Sequence, residues 1–164
     1  MSAKSAICGC RKSPCVDRNE GYYLETRKRT AATPSAFLWG EIMADRAMKI
    51  PGPDHPITIE ANPSRVVVKV GGQIIADTRD ALTLREASYP DVQYIPRRDV
   101  KMDALTRSEH KTYCPYKGYA SYYSIPVGGD RSVNAVWTYE TPFEAMAQIR
   151  EYVAFYPNRV DEIS

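Results

Sequence analysis

The sequence predicts a mainly β fold, a small antiparallel sheet built from hairpins, and three observations carry that prediction. Short apolar runs are separated by turn-forming clusters, notably Pro51-Gly52-Pro53-Asp54, Asn62-Pro63-Ser64 and Gly128-Gly129-Asp130. Gly71-Gly72 stands between two such runs and supplies the positive-φ positions of a tight hairpin. Only one stretch, after Tyr139, carries the start signals of a helix with an apolar side.

Taken in order, Ile57 to Glu60 reads as a strand entered from the Pro51–Asp54 turn. Arg65 to Val70 and Gln73 to Asp77 form the clearest hairpin, and Ala81 to Glu86 and Val92 to Ile95 follow on either side of Tyr89-Pro90. A short turn of helix is expected near 99–105, capped by Asp99, with Val100 and Ala104 inward. Lys111 to Cys114 and Tyr119 to Val127 flank the Pro115-to-Gly118 turn, and Ser132 to Tyr139 is a longer strand. Thr141 then reads as the N-cap of a short C-terminal helix, with Pro142 at its first position and Glu144 three residues on, a capping box. Val153 to Tyr156 closes the fold before Pro157.

With 164 residues the chain suits one domain that needs no disulfide or metal staple. We expect a single β-rich domain over 48–164 and an N-terminal extension over 1–47, disordered or with a short helix at 36–47. The apolar fraction of 43% and charged fraction of 26% are those of ordinary soluble chains. No run approaches the ~18 apolar residues of a spanning helix, and the N-terminus lacks the apolar segment of a secretion signal. The expectation is a cytoplasmic protein without membrane partners. Net charge is +2, and the first 47 residues hold eight basic against five acidic side chains, so any basic arm is N-terminal. Three cysteines, Cys8, Cys10 and Cys15, lie early and Cys114 stands alone, which is no disulfide framework. Cys8, Cys10 and Cys15 could give three ligands of a zinc site, with the fourth drawn from Cys114, His55 or His110. Zinc is therefore disfavoured, and no cofactor is expected.

The segment Lys111 to Ser124 concentrates chemistry: one thiol, two amines and five phenols within a strand-turn-strand unit. Cys114 is a candidate nucleophile if Lys117, across the turn, lowers its pKa. The alternative is a buried thiol at a strand end with Lys117 pointing outward. Strand alternation puts Tyr119 and Tyr123 on one face and Tyr122 on the other. With Tyr89, Tyr94 and Trp137 these rings could form an aromatic pocket, or could simply pack. Glu86 lies close to Tyr89-Pro90, and Arg97, after the Pro96-rigidified strand, could bind a phosphate or carboxylate bidentately. Arg98 reads instead as a partner for a surface acid. There is no phosphate loop and no His-Glu-x-x-His motif, and Gly71-Gly72 is a turn with no dinucleotide fingerprint around it.

Glu86 with Tyr89-Pro90, Tyr94-Ile95-Pro96-Arg97, Asp99-Val100, the Thr112-to-Tyr123 run and Trp137 together resemble the domain of unknown function 427 family. The resemblance runs from about Met48 to Phe155. It implies a β-tent fold similar to the thalidomide-binding domain of cereblon and the methionine-R-sulfoxide reductases. Those relatives commonly hold zinc with two Cys-x-x-Cys pairs, and Lys117 stands where a second cysteine after Cys114 would fall. The family is also labelled a nucleotidyltransferase domain, but no paired carboxylates at metal-binding spacing support that activity here.

The functional expectation is a small-molecule-binding domain, with or without catalysis. Its pocket gathers Cys114 and Lys117 as candidate catalytic groups and Glu86, Tyr89, Tyr94, Arg97, Tyr119, Tyr123 and Trp137 as candidate ligand contacts. The alternative is a non-catalytic module whose aromatic cage binds a modified side chain or peptide end. Nucleic-acid binding through the N-terminal arm is the weaker third reading.

Overall fold

The computed structural model describes residues 47–164. The helix expected at 36–47 falls outside them except for Ala47, as do Cys8, Cys10, Cys15 and most of the basic arm. Ten strands make up the frame: β1 (Ile57–Ala61), β2 (Val66–Val70), β3 (Gln73–Thr78), β4 (Leu82–Glu86), β5 (Val92–Pro96), β6 (Thr106–Cys114), β7 (Gly118–Ser124), β8 (Val136–Thr138), β9 (Tyr152–Phe155) and β10 (Glu162–Ile163). Seven form one sheet in the order β1-β4-β5-β9-β8-β7-β6, and three form another in the order β10-β2-β3. Every pairing is antiparallel.

Side-chain alternation gives the large sheet two buried faces. On one, Ile95, Tyr123, Val136, Val153 and Phe155 pack against Val66, Val68, Val70 and Ile75 of the small sheet. On the other, Leu84, Tyr94, Cys114, Ala120, Tyr122, Trp137 and Ala154 join Tyr139, Met146 and Ile149. Each buried aliphatic side chain contributes about 1.5–3 kcal/mol of transfer free energy, so both faces hold the sheet in place. Two pairs of polar tips meet at the second core: Trp137 Nε1 donates to the Tyr94 hydroxyl at 3.3 Å, and the Thr112 and Tyr122 hydroxyls lie 2.8 Å apart.

The expected strands recur with shifted ends, and the helical parts differ more. The turn near 99–105 resolves into two 3-10 turns, Arg97–Asp99 and Met102–Ala104. Asp99 does not cap; its Oδ2 accepts from Thr78 Oγ1 at 2.6 Å. The C-terminal helix is a kinked 3-10 segment, Glu144–Ile149, whose N-cap position is Phe143 without a side-chain cap bond. The Thr141 capping box does not form, because the Phe143 N–H donates to the carbonyl of Lys117 and the chain is committed to the β6–β7 turn. The strand expected from Ser132 contracts to Val136–Thr138, since Pro126–Ser132 winds as 3-10 turns. There Gly128 lies so close to Val70 that a Cβ would meet its Cγ1 at 2.6 Å.

Candidate functional site

β4 is next to one edge of the large sheet, and the β6–β7 hairpin is the other edge. Yet Glu86, the last residue of β4, receives a hydrogen bond at 2.6 Å from Lys117 Nζ in the β6–β7 turn. The sheet must therefore curl until its two wings meet, with the Tyr94–Trp137 face inside. Both partners are buried, with side-chain exposures of 6% and 4%.

The second carboxylate oxygen of Glu86 lies 2.9 Å from His55 Nε2. His55 comes from the turn before β1, where Gly52 and His55 exchange backbone hydrogen bonds. Its ring stacks on Tyr116 with centroids 4.2 Å apart and planes 6° from parallel, and Tyr89 leans against it at 6.4 Å. His55 is one-quarter exposed. The constellation thus has a buried ionic floor, Glu86 and Lys117, and a half-exposed rim, His55, Tyr89 and Tyr116.

Local backbone chemistry sets each of these groups. Ala87 adopts φ +45°, a left-handed conformation disfavoured for alanine, and is held there by its N–H to Pro56 O at 2.9 Å. That turn aims Glu86 inward while Tyr89 N–H returns to the Glu86 carbonyl. Opposite it, Gly118 at φ +98° closes the Cys114–Gly118 turn and leaves Lys117 facing the interior. The segment entering β1 seals the seam, with the Lys49 N–H on Pro115 O at 2.8 Å.

A second polar cluster lies on the other face. Arg107 grips Glu140 through both nitrogens at 2.7 and 2.8 Å, and Ser121 Oγ donates to the same carboxylate at 3.1 Å. Arg97 donates to the Tyr123 hydroxyl at 2.9 Å, and the guanidiniums of Arg97 and Arg107 lie 5.7 and 5.9 Å from the Tyr123 ring. The Arg107 guanidinium holds the Glu140 carboxyl at about 2, against an ordinary 4.5, and is itself raised by the same bond.

Of the residues expected to share one pocket, the structure gathers Glu86, Lys117 and Tyr89. Tyr94 and Trp137 sit inside the second core, Tyr123 in the first, and Arg97 beside Tyr123. Tyr119 is exposed and pairs with Tyr113 at 5.0 Å. Lys117 does not point outward as the alternative reading of its turn had it. Cys114 is fully buried in the second core, and the packed-thiol reading fits that position. Arg98 meets Asp80 at 2.5 Å, the surface-acid partner expected of it. Sequence reasoning missed His55 as a partner of Glu86; its only local signal was a histidine inside a Pro-rich turn. Among the described residues no three His, Cys, Asp or Glu side chains converge as a metal site, and no helix among them is long and apolar enough to cross a membrane.

Comparison with curated proteins finds no match. The family model described as Domain of unknown function (DUF427) matches residues 58–164, which takes in β1 to β10 from Thr58 onward, with Glu86 and Lys117. The chain belongs to this family.

Proposed function

We propose that the domain binds a small polar molecule at the His55–Tyr89–Tyr116 rim, over the Glu86–Lys117 floor, and that the Glu86–His55 pair can carry a proton to or from it. The observation that carries this reading is one buried carboxylate shared by a lysine and a half-exposed histidine. Burying an ion pair costs several kcal/mol of desolvation per ion and is a poor source of stability, often matched by an apolar pair of equal volume. Convergent titratable groups at the edge of a protein interior are, by contrast, what ligand orientation and proton transfer require. With Nε2 held by Glu86, the other ring nitrogen of His55 is the one available for exchange. Residence in the cytoplasm belongs to the same proposal and rests on the sequence alone.

The test is a ligand-observed NMR screen of small carboxylic acids, amines and heterocycles against wild type, His55→Gln and Tyr116→Leu. Binders that lose affinity in both variants are expected. A set of binders indifferent to both substitutions removes the reading. A second reading, recognition of a modified side chain, is favoured by one separate feature. Tyr113, Tyr119 and Phe143 form a ring cluster, with Tyr113 to Phe143 at 6.4 Å and near perpendicular.

A further inference from the structure

The far end of β4 carries a different feature. Leu82 and Glu86 are four residues apart, about 13 Å at strand rise, and around Leu82 opens a groove of about 540 Å³. That volume is within the range of small-molecule sites, about 300–1,000 Å³. Its apolar surface comes from Pro63, Leu82 and Tyr152, and its charged rim from Arg79, Asp80 and Arg98.

The charges are not equivalent. Arg98 is neutralised by Asp80 at 2.5 Å and approaches Asp99 at 3.8 Å. Arg79 makes no hydrogen bond or ion pair among the described residues, and its positive charge acts on Asp77, lowering that carboxyl in a minor way beside Arg65. Asp77 is itself committed to Arg65 through two bonds, at 2.7 and 2.5 Å. Arg79, exposed and also lining the groove, is thus the arginine there without a carboxylate partner among the described residues, and the wall it shares includes Leu82 and Tyr152. Asn62, which also lines the groove, donates its side-chain amide to Gln93 Oε1 at 2.9 Å and accepts the Ser64 N–H at Oδ1, so it holds the wall in shape.

We propose that this groove is a second binding site, for a planar monoanion of the aryl carboxylate class. The carboxylate would dock on Arg79 in the two-bond geometry that guanidinium favours. The ring would lie against Pro63 and Leu82 with Tyr152 at its edge, a contact that aromatic pairs favour. One unpaired positive charge matches one negative charge, and a larger anion would meet Asp80.

The test titrates benzoate, acetate and the neutral isostere benzamide into the full-length protein, followed by amide shifts in heteronuclear NMR. Benzoate is expected to saturate shifts at Ala61, Asn62, Leu82 and Tyr152, about two- to fivefold more tightly than acetate or benzamide, the scale of an ion pair at an exposed guanidinium. Arg79→Gln should erase the preference of benzoate over benzamide, and Ala61→Trp, at an exposed strand end, should block both. Glu86 and Lys117 amides should stay still, which separates this site from the one at the other end of β4. Equal binding of benzoate and benzamide to wild type, shifts centred elsewhere, or an unchanged preference in Arg79→Gln would each overturn the proposal.

Discussion

Glu86 serves two donors, and the loss of either one should not cost the same. Glu86→Gln takes the carboxylate from the buried Lys117 ammonium and should destabilise the fold by about 3–5 kcal/mol, the range for breaking a buried pair. Lys117→Met leaves His55 in contact with the carboxylate and should cost less. The double variant Glu86→Gln/Lys117→Met should fall well short of the summed single losses, because it removes both buried charges together. Urea midpoints for the four proteins check this, and simple additivity would show that the two groups do not act as a pair. Glu140 offers a residue-scale test against pH. Its carboxyl titrates near about 2 when folded against 4.5 ordinarily, so folding is favoured above 4.5 and that advantage drains away as pH falls toward about 2. The side chain is 39% exposed and its partner Arg107 51%, so solvent screening holds the contribution to about 0.5–1 kcal/mol. Glu140→Gln should therefore be less stable than wild type near neutral pH, and the two unfolding curves should converge below about pH 2. A gap that persists there would mean that Glu140 acts through packing.

At the scale of elements, the β2–β3 hairpin separates backbone strain from contact. Gly71 and Gly72 have φ of +57° and +74°, so alanine at either pays for a left-handed conformation, about 1 kcal/mol. A Cβ on Gly72 meets nothing within 4 Å, whereas one on Gly71 would lie 2.8 Å from Val127 Cγ2 and 2.9 Å from the Val127 carbonyl oxygen. Gly71→Ala should thus be the more damaging, by roughly 1–3 kcal/mol, the usual cost of overpacking, as read from thermal unfolding of both variants. Equal effects would show that the Pro126–Ser132 turns yield freely. This hairpin was readable in the sequence because its signal is local: two glycines between two apolar runs. β4, β5 and β9 were readable for the same reason. The Thr141 capping box was a correct local pattern overruled by a distant carbonyl, that of Lys117. The meeting of Glu86 with Lys117 and His55 was not readable, since both partners lie 31 residues away in sequence and only the curl of the sheet joins them. The sequence marked Glu86, Lys117 and Tyr89 as unusual residues; it could not say that Tyr94, Trp137 and Tyr123 would be divided between two cores.

At the scale of the whole molecule, both sheets must end somewhere, and an exposed apolar edge is a template for aggregation. The large sheet ends at β6 in Arg107, Glu109, His110 and Lys111, an edge too polar to pair with copies of itself. The small sheet has a harder problem, because β2 reads Val66-Val67-Val68-Lys69-Val70, a segment of high β-propensity with a single charge. One side of β2 is paired with β3, and the outer edge of β3 is covered where Lys101 N–H reaches Ile75 O at 2.8 Å. Among the described residues the other side of β2 is covered by Asp161 to Ser164. β10 pairs Glu162 with Lys69 and Ile163 with Val68, and Ser164 exchanges two backbone bonds with Val67, at 2.7 and 3.0 Å. This strand had no local signal in the sequence, being two residues long, and its worth lies in what it covers. Removing Glu162 to Ser164 exposes that edge while sparing the buried Val160 and the Asp161 carboxylate that receives the Gly71 N–H at 2.6 Å. The shortened chain should still fold, with modestly lower stability, and should aggregate on mild heating well below the temperature at which wild type does, as followed by light scattering. Val67→Lys in the shortened chain should suppress that aggregation, because Val67 is only half-buried and a lysine on an open edge opposes strand pairing. If Val67→Lys aggregates as readily as its parent, the exposed β2 edge is not the template, and the C-terminal strand contributes stability alone.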